Sequence, residues 1–95
     1  MAKNEHLLVE KYLEQQRKYF EEPSWEKMEK EFLPMEQEIK KYINKHKLPK
    51  ELLDVGCGKG YFLKYMQRQN WKVSGIELVK TSAEYAQKRF GLSVT

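Results

Sequence analysis

Residues Leu52 to Phe62 read LLDVGCGKGYF, and this stretch decides the fold of the chain. It begins as a short apolar run typical of a buried strand, breaks into glycines at every second position, and continues as an amphipathic helix pattern. Glycine adopts backbone angles that other residues resist, and its missing side chain lets a ligand come close. A strand, a glycine loop and a helix N-terminus in this order predict an open α/β sheet with a site for an adenosine-type cofactor.

The spacing of the glycines narrows the kind of cofactor. Asp54, Gly56, Gly58 and Gly60 form the pattern D-x-G-x-G-x-G. The dinucleotide pattern G-x-G-x-x-G would require glycine where Tyr61 stands, so a nicotinamide or flavin half-domain is the weaker alternative.

An acidic residue follows at the distance expected of a ribose-binding group. Glu77 stands at the end of the next predicted strand, within Ser74-Gly75-Ile76-Glu77-Leu78. A carboxylate in that place can accept hydrogen bonds from both hydroxyls of a ribose. Read alone, Glu77 would be a solvated residue at a strand end. Asp54 has its own structural alternative, which is to hold the loop through hydrogen bonds to nearby amides.

Helices are predicted before the glycine loop. The first spans about residues 4–20, with Leu8, Tyr12 and Tyr19 on one stripe, and it ends at Pro23. Ser24 is placed to cap a second helix, whose first turn carries Glu26.

The second helix carries an apolar stripe with alternating steps of three and four residues: Trp25, Met28, Phe32, Met35, Ile39 and Tyr42. Pro34 lies inside this pattern and predicts a break or kink. We expect the stripe to pack on a sheet, because the run is too short and interrupted for a coiled coil.

The segments after the loop complete the predicted half of a doubly wound sheet. A helix over about residues 60–69 ends at Asn70, and a strand follows over 71–77. Thr81 and Glu84 have the spacing of a capping box at the start of a further helix, and Gly91 closes that helix. Residues 92–95 are predicted to open a third strand.

These elements give an α/β fold class: a Rossmann-like parallel sheet half of three strands after an N-terminal helical segment. The predicted division is residues 1–50 for the helical segment and 51–95 for the cofactor-binding part. Such sheets have more strands than three, so we expect a truncated domain.

Composition excludes several classes of function. The net charge of +4 comes from well-mixed residues without a basic stripe, which disfavours nucleic acid as a direct partner. No apolar run approaches the length of a membrane span and no signal-peptide pattern is present. The single cysteine, Cys57, favours a reducing cytoplasm. It has no identifiable base partner that would make it a nucleophile, and His6 and His46 predict no metal site.

Residues 52–77 resemble the first two motifs of the class I S-adenosylmethionine-dependent methyltransferases, and the likeness extends through the helix end at residues 86–92. The resemblance implies S-adenosylmethionine as the cofactor. It also implies that the glycine loop, with Gly56, Gly58 and Gly60, passes under the methionine part.

The resemblance assigns the other site residues as well. It implies that Asp54 places the amino group, Glu77 binds the ribose and Leu78 packs on the adenine. Cys57 and Tyr61 belong to the candidate site as residues of the loop and its immediate end. The family's substrate-holding segments have no counterpart in these residues, so neither an acceptor nor a catalytic residue is predicted.

The sequence thus predicts the cofactor-binding N-terminal portion of a methyltransferase, inactive on its own. The alternative is a non-catalytic cofactor-binding or helical docking module that completes a partner subunit. In the family's sheet the strand matching Leu52–Val55 is paired on both sides, and here one neighbour is missing. We therefore expect a homodimer, formed by edge pairing or by exchange of the N-terminal helices.

Overall fold

The computed structural model describes residues 9–13 and 21–95. Residues 9–13 are helical, and the rest of the predicted first helix, with Leu8 and Tyr19, lies outside the described residues. The other elements are α1 (Trp25–Lys45), β1 (Glu51–Val55), α2 (Tyr61–Arg68), β2 (Lys72–Ile76) and α3 (Lys80–Phe90).

Helix α1 begins where the capping residue predicts. The Ser24 hydroxyl accepts a hydrogen bond from the Lys27 backbone N–H at 3.2 Å, and Glu26 lies in the first turn. Of the predicted break or kink at Pro34, the break is wrong, since one helix runs through this position, and the kink stays a prediction. Proline costs a helix one backbone hydrogen bond, and tertiary packing on both sides of Pro34 offsets that cost.

The buried stripe of α1 differs from the predicted one. Met35 and Tyr42 are exposed, and Glu36 and Ile43 are buried in their place. Phe32 packs against α2, with its ring centroid 5.2 Å from that of Phe62. The prediction failed because an apolar stripe leaves a charged residue such as Glu36 on the solvent face, whereas Glu36 is buried.

The sheet is parallel and its two strands pair in the register Leu52 with Val73 and Val55 with Ile76. The predicted opening of a third strand at residues 92–95 is not confirmed as a strand, although Val94 forms an isolated parallel bridge with Gly75. That bridge lies on the edge of β2 opposite to β1, where the predicted third strand would pair. The α/β class and the order of the segments agree with the prediction.

The core lies on one face of this sheet in two clusters. The first consists of Leu63, Ala83, Ala86, Phe90, Leu92 and Val94. The second consists of Ile43, Tyr65, Met66 and Trp71. Both clusters contact Leu52 and Val73, so the helices share a single covered face of the sheet. The division of the chain at residue 50 stays a prediction.

Helix ends follow local backbone chemistry with one exception. Asn70 and Gly91 have φ values of 68° and 64°, as expected of residues that end helices. The predicted capping box of Thr81 and Glu84 is wrong: α3 begins at Lys80, and its N-cap is Val79, two residues before Thr81. The Val79 side chain makes no capping hydrogen bond. Within residues 9–13 and 21–95, no helix is long and apolar enough to cross a membrane.

Candidate functional site

The glycine loop lies at the carboxyl end of β1, next to the carboxyl end of β2. The N–H groups of Gly56 and Cys57 both bond to the Ile76 carbonyl oxygen, at 2.7 and 3.2 Å. The loop therefore begins as a continuation of the sheet pairing before it turns into α2. The turn is closed by the Gly60 N–H, which donates to the Cys57 carbonyl oxygen at 3.1 Å.

Three positions of the loop favour glycine, because Gly56, Gly58 and Gly60 have positive φ values of 81°, 59° and 85°. The surroundings of Gly56 and Gly58 differ from those of Gly60. A Cβ on Gly56 or Gly58 would meet no atom of residues 9–13 and 21–95 within 4 Å. A Cβ on Gly60 would lie 2.6 Å from Leu92 Cδ1, so Gly60 serves the packing of the loop against α3 and the following segment.

Glu77 and the loop are in direct contact. Its Oε1 accepts the Gly58 N–H and its Oε2 accepts the Val79 N–H, both at 2.8 Å. The hydrogen bond from Val79, and after it the one from Gly58, hold the pKa of the Glu77 carboxyl below its usual 4.5. The structural role considered for Asp54, holding the loop amides, is thus carried by Glu77.

Asp54 is half-buried at the end of β1. Desolvation raises the pKa of its carboxyl above the usual 3.8. Among the residues described, no basic side chain pairs with Asp54 and no loop amide donates to it. A desolvated carboxylate of this kind is stabilised by a cationic ligand.

Cys57 is half-buried beneath the loop, and burial is the first cause that raises the pKa of its thiol. A raised pKa disfavours the thiolate, so Cys57 is a packing residue of the loop. Gly75 on β2 makes room for it, since a Cβ there would lie 2.7 Å from Cys57 Sγ. Sequence reasoning gave Gly75 no role; its only signal was a glycine in the middle of a strand.

Tyr61 and Leu78 lie in contrasting surroundings. The Tyr61 ring packs edge-on against Tyr85 and Phe90, at centroid distances of 6.2 and 5.8 Å. Its hydroxyl is buried, and within the described ranges no group stands at hydrogen-bond geometry to it. Leu78 is 95% exposed beside Glu77, at the carboxyl end of β2. The structure therefore brings Asp54, the open glycines, Glu77 and Leu78 to one edge of the sheet.

Two further residues beside the loop were missed by the sequence reasoning. Lys59 is only 9% exposed although it is a lysine among glycines, and its Nζ lies 5.3 Å from the centre of the Tyr85 ring. Nothing in the sequence near Lys59 indicates Tyr85 as its neighbour. Within the described ranges, no group of acidic, histidine and cysteine side chains could hold a metal ion.

Comparison with known proteins identifies the family of the chain. A family model described as "Methyltransferase domain" matches residues 7–92. No curated protein matches the chain. Because the family match covers most of the chain, including the glycine loop and Glu77, the chain belongs to the class I S-adenosylmethionine-dependent methyltransferase family.

Proposed function

We propose that this chain binds S-adenosylmethionine across the carboxyl ends of β1 and β2, as the cofactor-binding portion of a methyltransferase. The observation that carries the proposal is the contact between the glycine loop and the acidic strand end, with Gly58 N and Glu77 Oε1 2.8 Å apart. This contact brings the two family motifs together at one place in the fold.

The shape of the loop fits a ligand that lies against the backbone. The open space at Gly56 and Gly58 allows such an approach, and positive φ values keep the loop in that form. The first-turn amides of α2 come directly after the loop, and the N-cap residue, Gly60, has no side chain to cap them. They favour a carboxylate such as that of the methionine part.

The charges fit the remaining groups of the cofactor. Asp54 is a desolvated carboxylate without a cationic partner in the described ranges, and it would hold the ammonium group. Glu77 uses one acceptor site of each oxygen for the backbone. A carboxylate has about four acceptor sites, so two are left for the hydroxyls of a ribose. Leu78 offers an exposed apolar surface for the adenine.

When bound, S-adenosylmethionine supplies a methyl group on a sulfonium sulfur that an acceptor nucleophile can displace. The residues of this chain would orient the cofactor and exclude water from one side of it. They would do so through a carboxylate at each strand end and a loop held by Glu77.

Calorimetric titration of the chain with S-adenosylhomocysteine and, separately, with NAD tests the proposal. We expect binding of S-adenosylhomocysteine and none of NAD, because Tyr61 stands where a dinucleotide loop needs glycine. NAD binding with no response to S-adenosylhomocysteine would overturn it. A chain that binds but transfers no methyl group in the assembled protein would support the non-catalytic module instead.

A further inference from the structure

The segment just before α1 is fastened to α3 by one carboxylate. Glu22 accepts hydrogen bonds from the Tyr85 hydroxyl and from Arg89, whose Nη2 lies 3.1 Å from Glu22 Oε2. A guanidinium that binds both oxygens of a carboxylate fixes its direction as well as its position. We call Glu22, Tyr85 and Arg89 the Glu22 cluster.

Aromatic contacts hold the same segment beside α2 and α3. The Trp25 ring packs edge-on against Phe90 at 6.3 Å, and the Arg68 guanidinium lies 4.3 Å from the centre of the Trp25 ring. The start of α1 is therefore fixed at the ends of both helices that flank the candidate site.

The Glu22 cluster reaches the glycine loop through Tyr85. The Nζ atom of Lys59 lies 5.3 Å from the centre of the Tyr85 ring, and the Tyr61 ring packs edge-on against the same ring. Lys59 and Tyr61 flank Gly60, the last loop residue before α2. Lys59 also contributes to the field that lowers the pKa of Glu22, behind the stronger effects of Arg89 and Tyr85.

We infer that Glu22, Tyr85 and Arg89 are positioning residues that couple the segment preceding α1 to the cofactor loop. Tyr85 touches both the segment, through Glu22, and the loop, through Lys59 and Tyr61. A change that releases Glu22 frees the Tyr85 hydroxyl and loosens the packing under Lys59. Coupling between two sites is reciprocal, so an occupied loop must in turn hold the segment more firmly. This inference rests on the proposed function, because it takes S-adenosylhomocysteine as the loop's ligand.

Three variants test the coupling. Glu22→Gln weakens the bond to Arg89, Tyr85→Phe removes the hydroxyl but keeps the ring beneath Lys59, and Glu26→Gln is the matched control. Glu26 lies on α1 in an exposed ion pair with Lys30 at 3.6 Å and touches no part of the cluster. The readouts are the calorimetric affinity for S-adenosylhomocysteine and amide hydrogen exchange of residues 56–62 without ligand.

We expect Glu22→Gln and Tyr85→Phe each to weaken binding by about fivefold, the lower end of typical coupling between sites. Both variants should speed amide hydrogen exchange in the loop. The double variant should bind S-adenosylhomocysteine no more weakly than the weaker-binding single variant does. Glu26→Gln should change neither readout.

Two outcomes would overturn the inference. One is wild-type affinity in Glu22→Gln while the wild-type chain binds S-adenosylhomocysteine. The other is unchanged loop exchange in both cluster variants. If the wild-type chain does not bind S-adenosylhomocysteine, the proposed function fails separately, and the exchange measurement still decides whether the cluster positions the loop.

Discussion

At the scale of single residues, the candidate site depends on backbone angles and on two differently placed carboxylates. Gly56 and Gly58 lie in the left-handed region beside open space, whereas Gly60 is needed for packing. Asp54 is desolvated and Glu77 is held by backbone amides, so burial raises the pKa of one carboxyl and hydrogen bonds lower that of the other. Their roles toward a ligand should therefore be separable by mutation and by pH.

Gly58→Val should abolish binding of S-adenosylhomocysteine, because the side chain fills the space beside the loop and strains its backbone. Gly91 provides a matched control, since it also has a positive φ and open space but lies at the end of α3. A side chain in the left-handed region costs about 1–2 kcal/mol, so Gly91→Val should lose similar stability and keep its affinity. Calorimetry and thermal unfolding measure the two effects. Normal binding by Gly58→Val would show that the loop is only a turn.

Glu77→Ala should weaken binding of S-adenosylhomocysteine at least tenfold, because the proposed ribose contacts and the bond to Gly58 are lost together. A charge-assisted hydrogen bond contributes about 1.5–3 kcal/mol in typical proteins, which makes a loss of this size reasonable. Some stability should be lost as well, since the carboxylate also holds Val79 at the start of α3. Unchanged affinity in calorimetry would contradict the assignment of Glu77.

The affinity for S-adenosylhomocysteine should fall as the pH is lowered through the pKa of Asp54. Burial raises that pKa in the free protein, and a bound ammonium group would lower it. The bound protein then holds fewer protons than the free protein, so acid opposes binding. Titrations between about pH 4 and 7 should show this slope in the wild type and a shallower one in Asp54→Asn. Equal slopes would remove Asp54 from the site.

At the scale of elements, the position of α1 is decided by a buried carboxylate on its otherwise apolar stripe. Glu36 is 2% exposed and accepts hydrogen bonds from the Tyr65 hydroxyl at 3.1 Å and from Trp71 Nε1 at 3.0 Å. Lys40 approaches the same carboxylate at 3.8 Å. Burial and the bond to Glu36 raise the pKa of Tyr65 to about 12, so this hydroxyl remains a donor.

Glu36→Ala should destabilise the protein by about 3–5 kcal/mol, because it leaves two buried donors without an acceptor. Glu36→Gln keeps one oxygen and should cost less. Urea unfolding followed by tryptophan fluorescence measures both, and Glu38→Ala is the control, because Glu38 is an exposed residue of the same helix paired with Lys41. A cost below about 1 kcal/mol for Glu36→Ala would show that α1 does not depend on these bonds.

At the scale of the whole molecule, one sheet face and one sheet edge are uncovered in the part of the chain that the structure describes. Leu53 and Val55 are 56% and 73% exposed, on the face opposite to the helices. β1 pairs with β2 on one edge, and no described strand pairs with its other edge. Unpaired edges and apolar surfaces favour association with another chain.

We therefore expect this chain to form a homodimer through β1. Light scattering over a concentration series should show the mass rising toward twice the monomer. Val55→Lys should suppress the rise, because it places a charge on the exposed face next to the free edge. Leu48→Lys is the control, since Leu48 is 47% exposed but lies in the connector before β1. A monomer at high micromolar concentration, unfolding cooperatively, would contradict the expectation.

The local sequence determined the parts of the molecule that depend on backbone chemistry and on short-range periodicity. The strand at Glu51–Val55, the glycine loop and the cap at Ser24 follow from residues within a few positions of each other. That Glu77 lies near the loop could also be predicted, because the carboxyl ends of neighbouring parallel strands meet at one edge. The hydrogen bond from Gly58 to Glu77 was not predicted, since the sequence offered Asp54 as the residue that holds the loop amides.

Only the tertiary structure decided which polar side chains are buried and which residues complete the surroundings of the loop. Glu36 is buried because Tyr65 and Trp71, which are 29 and 35 residues away in the sequence, supply its hydrogen bonds. Glu22 reaches α3 across 63 and 67 residues to contact Tyr85 and Arg89. A carboxylate in a helical sequence is expected on the solvent face, and only distant donors can reverse that preference by satisfying its charge in the interior.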